Sequence, residues 1–119
     1  MRKNNFGREY EQVVCGYLES QGMKILDRNF TVSGGEADII VSDGMYICFV
    51  EVKYRTVRAI DAYSSVGFKK QSRIIKAAKR YLSEHRTDQQ PRFDVVFVFS
   101  DDGEIIFDYI KNAYDASQR

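Results

Sequence analysis

Met45 to Lys53 (MYICFVEVK) is the most apolar run in the chain, and two charged residues close it. Alternation along a strand puts Ile47, Phe49, Glu51 and Lys53 on one face. That face should be buried, because its first two residues are of core type. The chain must therefore build a sheet that carries a glutamate and a lysine at the end of a core strand. Full burial of Glu and Lys is rare unless they are paired or functional, so this segment constrains the fold and marks a site at once.

The remaining segments read as helices and strands around it. Tyr10, Val13, Val14, Tyr17 and Leu18 repeat at helical spacing and predict a helix from about Gly7 to Gln21, stopped by Gly22. Met23–Val32 and Glu36–Val41 read as strands flanking Ser33-Gly34-Gly35, and Ser42-Asp43-Gly44 is a hairpin signal. After a polar, partly basic loop from Tyr54 to Ser65, a second helix is predicted from about Val66 to Glu84. Ile74, Ile75, Ala77, Ala78, Tyr81 and Leu82 point inward from it. A loop at Thr87–Pro91, a strand at Arg92–Phe99, a turn at Ser100–Gly103, a strand at Glu104–Tyr109 and a short helical tail complete the chain. The expectation is an α/β fold with a mixed sheet, in the order α-β-β-β-α-β-β. The 119 residues are read as a single domain, 1–119, with its core at about 7–110.

Composition narrows the class. Hydrophobic residues make up 44% and aromatics 13%, too much for a disordered chain. MRKNNFGREYEQ has three basic residues with no apolar run behind them, unlike a secretory signal, and no segment approaches a membrane span. Cys15 and Cys48 fall on interior positions and read as free thiols in a reducing, cytoplasmic compartment. The net charge of +1 conceals polarity. Lys53 to Arg92 holds eleven Lys and Arg against three Asp and Glu, whereas the remainder holds seven against fourteen. Such a division suits a basic surface for a polyanion, or an ordinary solvated helix face.

Hairpin geometry extends the site. If Asp43-Gly44 is a two-residue loop, Ser42 pairs with Met45, Asp38 lies opposite Phe49 and Glu36 opposite Glu51; a four-residue loop is expected to give the same register, and a three-residue loop would flip the parity. Glu36, Asp38, Glu51 and Lys53 then project from one face. Like charges facing each other destabilise a sheet, and a divalent cation with a preference for oxygen ligands, Mg²⁺ or Mn²⁺, would remove the conflict. Glu11 flanks the apolar stripe of the first helix as a fourth carboxylate. Lys70 and Gln71 should face the sheet, while Lys69, Arg73, Lys76, Lys79 and Arg80 take the solvent face. The bland alternatives are a structural Glu51–Lys53 ion pair and a snorkelling Lys70. Asp94, inside the apolar strand RFDVVFVF, should pair with Arg92 or Arg28.

The segments GREYE, GGEADII, FVEVKYR, KKQSRIIKAAKRYL and RFDVVFV together resemble the YraN-like family of predicted bacterial endonucleases, within the PD-(D/E)XK nuclease superfamily. The resemblance runs from about Gly7 to the C-terminal tail. It implies a restriction-endonuclease-like, three-layer core similar to archaeal Holliday junction resolvases. It matches Glu11 to the first-helix acid, Asp38 to the signature aspartate, and Glu51 and Lys53 to the E-x-K pair. Glu36 matches the acid of the G-E-x-D segment, and Lys70 and Gln71 the basic–polar pair of the second helix. Ala37 stands where the superfamily name has proline. A homodimer is also implied, because related junction resolvases act on two strands.

The expected function is metal-dependent endonuclease cleavage of nucleic acid, DNA ahead of RNA and branched DNA included. Asp38, Glu51 and Lys53 are the expected catalytic residues, and Glu36 and Glu11 join Asp38 and Glu51 around the metal. Lys70 and Gln71 would hold an adjacent phosphate, with Arg55, Arg58, Arg73, Lys76 and Arg80 along the backbone. The alternatives are a non-catalytic nucleic-acid-binding module on the same fold and a protein-interaction domain whose acids form structural ion pairs.

Overall fold

In the computed structural model, residues 3–55 and 67–116 are described, with residues 3–9 and 101 described by their backbone alone. The elements are α1 (Lys3–Ser20), β1 (Lys24–Val32), β2 (Gly35–Ser42), β3 (Tyr46–Arg55), α2 (Phe68–Glu84), β4 (Gln90–Asp101) and β5 (Glu104–Tyr114). The strands form one mixed sheet in sequence order. Every neighbouring pair is antiparallel except β3 and β4, which run parallel. A parallel pair needs a crossover, and α2 lies in that connection.

The alternation of β3 sorts its side chains onto two cores. Ile47 and Phe49 join Ile40, Phe93, Val95, Phe97 and Phe99 under Ile74, Ala77, Ala78 and Tyr81 of α2. Cys48, Val50 and Val52 join Ile39, Val41, Val96 and Val98 under Val14 and Leu18 of α1. Apolar residues on both faces make β3 and β4 the centre of the sheet, covered on each side by a helix. Among the described residues no helix is long and apolar enough to cross a membrane.

The predicted order of elements is observed, with changes at the edges. The first helix begins at Lys3 rather than Gly7, and β1 begins at Lys24 because Met23 turns into the α1-side core. A helical tail does not follow Tyr109 directly: residues 110–114 extend β5, whose pairing on β4 reaches Phe93↔Tyr114, and residues 117–119 lie outside the described residues. The second helix starts at Phe68; Val66 and most of the loop before it, including Arg58, lie outside the described residues.

The β2–β3 register also differs. Ser42 pairs with Ile47 and Ile39 with Val50, a shift of two from the expected Ser42–Met45 pairing. The cause is Asp43, whose carboxylate accepts the N–H groups of Met45 at 2.9 Å and Tyr46 at 2.6 Å while its own N–H reaches the Tyr46 carbonyl at 3.1 Å. Aspartate thus builds a longer turn than an Asp-Gly hairpin. A shift of two conserves the faces and changes the partners. One step beyond the Ile39↔Val50 pair, Asp38 rather than Glu36 comes opposite Glu51.

Candidate functional site

At the C-terminal end of β3 the α2-side face changes from Ile47 and Phe49 to Glu51 and Lys53. Glu51 is only 6% exposed. Its Oε1 is buried with no hydrogen-bond donor among the described residues, and its Oε2 lies 3.8 Å from Lys70 Nζ. Asp38 comes in from β2, and its Oδ2 accepts the Val52 N–H at 2.9 Å. Both carboxyls are held above their ordinary range, first by burial. Glu51 is pushed up to about 8, with the Asp38 charge as the second cause. Lys70 and Lys53 pull the other way, less strongly. Two carboxyls in one dry corner favour a proton shared between them over two charges; Glu51 lacks a donor once both are ionised, the state in which a cation would be held.

Lys70 connects this pair to the rim. Its Nζ lies 3.1 Å from Glu36 Oε2, and Arg73 Nη2 reaches Glu36 Oε1 at 3.4 Å. Glu36 is therefore held below its ordinary range, chiefly by the Lys70 hydrogen bond. Burial would lower Lys70, but Glu51, Glu36 and Asp38 together outweigh it and hold the ammonium up. Gln71, beside it, is 8% exposed beneath the helix. The helical wheel thus read both residues correctly as facing the sheet.

The other candidates fall in different places. Glu11 sits on α1, on the opposite side of the sheet, and accepts a 2.9 Å hydrogen bond from Asn29 Nδ2. It is still at the same end of the sheet. The Tyr54 phenol, raised above its ordinary value by burial, is raised further by Glu11, Asp38 and Glu51. Arg55 lies 6.0 Å over the Phe97 ring and donates to the Tyr54 carbonyl. Arg80 is paired with Glu84 at 2.7 Å.

Three or four converging carboxylates were expected. Among the described residues no three His, Cys, Asp or Glu side chains are placed to hold a metal ion together. Glu36 is occupied by two cations and Glu11 by an asparagine, which leaves Asp38 and Glu51. That pair still fits a hard cation: Mg²⁺ is commonly held by one or two carboxylates and keeps several waters, and Glu51 offers a buried oxygen that no donor among the described residues reaches.

A second buried acid has a different character. Asp94 is 0% exposed and accepts from Arg92 Nε at 2.9 Å and Nη2 at 3.0 Å, from the Tyr109 hydroxyl at 2.6 Å and from the Asn112 N–H at 2.8 Å. Arg92 was one of its two expected partners; Tyr109 and Asn112 were not foreseeable, since they arrive through the β4–β5 pairing. Cys15 and Cys48 are buried free thiols, Cys48 pushed up to about 12 by burial and then by Asp94.

A family model described as "Uncharacterised protein family UPF0102" matches residues 10–98. The chain is similar to a UPF0102 protein of Syntrophotalea carbinolica, 43% identical over 115 residues, covering 93% of this chain and 92% of the relative. It is similar to one of Myxococcus xanthus at 37% over 116 residues, covering 96% and 92%. A Pseudomonas aeruginosa relative is 40% identical over 115 residues, covering 92% of both.

Proposed function

The chain belongs to the uncharacterised protein family UPF0102, and for this member we propose metal-dependent hydrolysis of phosphodiester bonds in nucleic acid, DNA ahead of RNA. The observation that carries the reading is Glu51, a buried carboxyl with an unsatisfied oxygen beside a second buried carboxyl. A native core rarely retains such a group without a use.

Asp38 and Glu51 would hold Mg²⁺ or Mn²⁺, which supplies Lewis acidity toward phosphoryl oxygens. Val52 fixes Asp38 through its N–H, so one acid is oriented by backbone and does not depend on a mobile partner. Lys53, next on the same face, would stabilise negative charge developing on the phosphoryl group or orient the attacking water. Lys70 would hold a non-bridging phosphate oxygen, which requires it to leave Glu51 as substrate arrives. Burial of Gln71 and the apolar floor of Phe49 and Val95 excludes water from below. The buried thiols suit a reducing compartment such as the cytoplasm.

The alternative, a non-catalytic nucleic-acid-binding module, draws on the Lys70–Glu51 approach, which would let the acids persist as ion-pair partners. Cleavage of branched, flapped, duplex and single-stranded substrates with Mg²⁺ and Mn²⁺ separates the two. The nuclease reading expects cleavage that Asp38→Asn and Glu51→Gln abolish, and that Lys53→Met abolishes while calorimetric Mn²⁺ binding remains. Strand binding without any cleavage would leave the binding module.

A further inference from the structure

The basic residues of α2 run along the whole helix but differ in their partners. Phe68–Glu84 contains no carboxylate until its last residue, Glu84, which takes Arg80. Near the other end, Lys70, Arg73 and Lys76 gather where the β1–β2 hairpin tip meets the helix. Lys70 and Arg73 both reach Glu36. Lys76 lies so close to the tip that a Cβ on Gly34 would stand 3.0 Å from its Nζ. Two cations therefore hold one carboxylate and a third lies beside the tip, and the cluster keeps a positive charge.

Two glycines make this convergence possible. Gly34 turns the chain at φ +79°, a left-handed value that favours glycine. Gly35 is pressed against α2: a Cβ there would stand 2.6 Å from the Arg73 carbonyl oxygen and 3.0 Å from the Ala77 nitrogen. Any side chain at Gly35 would push the helix off the sheet, and one at Gly34 would crowd the Lys76 ammonium. The tip thus offers bare backbone beside exposed Arg73 and Lys76, where a bulky anion could approach. Lys70 lies between this place and the acidic pair, touching Glu36 on one side and Glu51 on the other.

We propose that the β1–β2 tip and α2 form a second phosphate subsite, in which Arg73 and Lys76 hold a backbone phosphate next to the one at the acidic pair. The partner is a nucleic-acid strand, recognised through its phosphodiester backbone. The inference rests on the nucleic-acid reading above, and it narrows the binding surface to the tip end of α2. Arg80 and Lys79, one turn further along the helix, are not part of the subsite.

The test is binding of the full chain to a fluorescent single-stranded oligodeoxynucleotide, by anisotropy, with chelator present so that no strand is cut. A matched abasic strand forms the second arm. Arg73→Gln and Lys76→Gln should each weaken binding about three- to tenfold and flatten the salt dependence by about 0.7 in log–log slope. Lys79→Gln and Arg80→Gln should stay within about twofold of wild type, and the abasic strand should behave like the intact one. Circular dichroism on each variant confirms that the helix is retained. Equal weakening by all four substitutions would show a diffuse field instead of a subsite, and loss of binding on the abasic strand would show base recognition; either result overturns the proposal. Failure of the nuclease reading looks different: no metal-dependent cleavage, with the Arg73 and Lys76 pattern intact.

Discussion

Two buried carboxyls on opposite faces of the same sheet have opposite surroundings. Asp94, on the α1 side, has four donor groups around it, two of them from an arginine that is itself only 10% exposed. Glu51, on the α2 side, has one oxygen with no donor among the described residues and another carboxyl beside it. An acid that the fold has fully satisfied holds strands together. An acid left partly unsatisfied is held at the expense of stability, and a ligand is the natural recipient of that free capacity. The difference teaches which of two equally buried acids is structural and which is available for chemistry.

The largest expected effect tests the structural half. Asp94→Ala leaves Arg92 and the Tyr109 hydroxyl buried without their acceptor, and should cost about 3–5 kcal/mol in chemical denaturation. A loss below about 1 kcal/mol would remove the basis of the contrast.

Next, Glu51→Gln should act in the opposite direction. With chelator at about pH 8, it should raise stability by about 1–3 kcal/mol, because an amide avoids the charge that burial and Asp38 oppose. Mn²⁺ should reverse the order, since only wild type would bind it tightly. A less stable Glu51→Gln under chelator would make Glu51 a second structural acid.

The pH dependence gives the same contrast without mutation. Glu51 binds its proton more tightly folded than unfolded, so folding takes up protons between the two pKa values. Metal-free stability should therefore fall as pH rises from about 4.5 to about 8. Glu36, with its folded value lowered, works the other way: its contribution is present above the unfolded value and is lost as pH falls through the folded one. Glu51→Gln should flatten the fall toward pH 8 and leave the acid side unchanged. Melts over a pH series check both limbs.

A smaller gain is expected for Asp38→Asn, on the order of 1 kcal/mol without metal, because the amide oxygen can still accept the Val52 N–H. The smallest effect is at the surface. Arg80→Gln removes an exposed i,i+4 pair and should change stability by no more than about 0.5 kcal/mol. A larger loss there would mean that surface pairs, and not the buried acids, dominate the electrostatics of this fold.

Much of this was legible from local pattern. Alternation along MYICFVEVK put Glu51 and Lys53 on the face of Phe49, and the wheel of α2 put Lys70 and Gln71 on the sheet. The face of Asp38 survived a wrong register, because a slip of two residues leaves side chains on the same side. The expected opposition of Glu36 to Glu51 did not survive it, because the turn depends on whether the Asp43 carboxylate captures backbone N–H groups, which composition does not decide. Glu36 was read as a metal acid from its face, from its expected place opposite Glu51 and from the family resemblance; its ion pairs depend on how closely α2 approaches β2, which Gly35 permits.

By itself the sequence determined which residues lie on which face of each element, since that follows from periods of two and 3.6 along the chain. Only the tertiary structure decided which acids were satisfied and which were not. Satisfaction depends on donors brought in from other elements, as Tyr109 reaches Asp94 from β5 and Lys70 reaches Glu51 from α2, and such distances are set by packing across the sheet, to which local periodicity is blind.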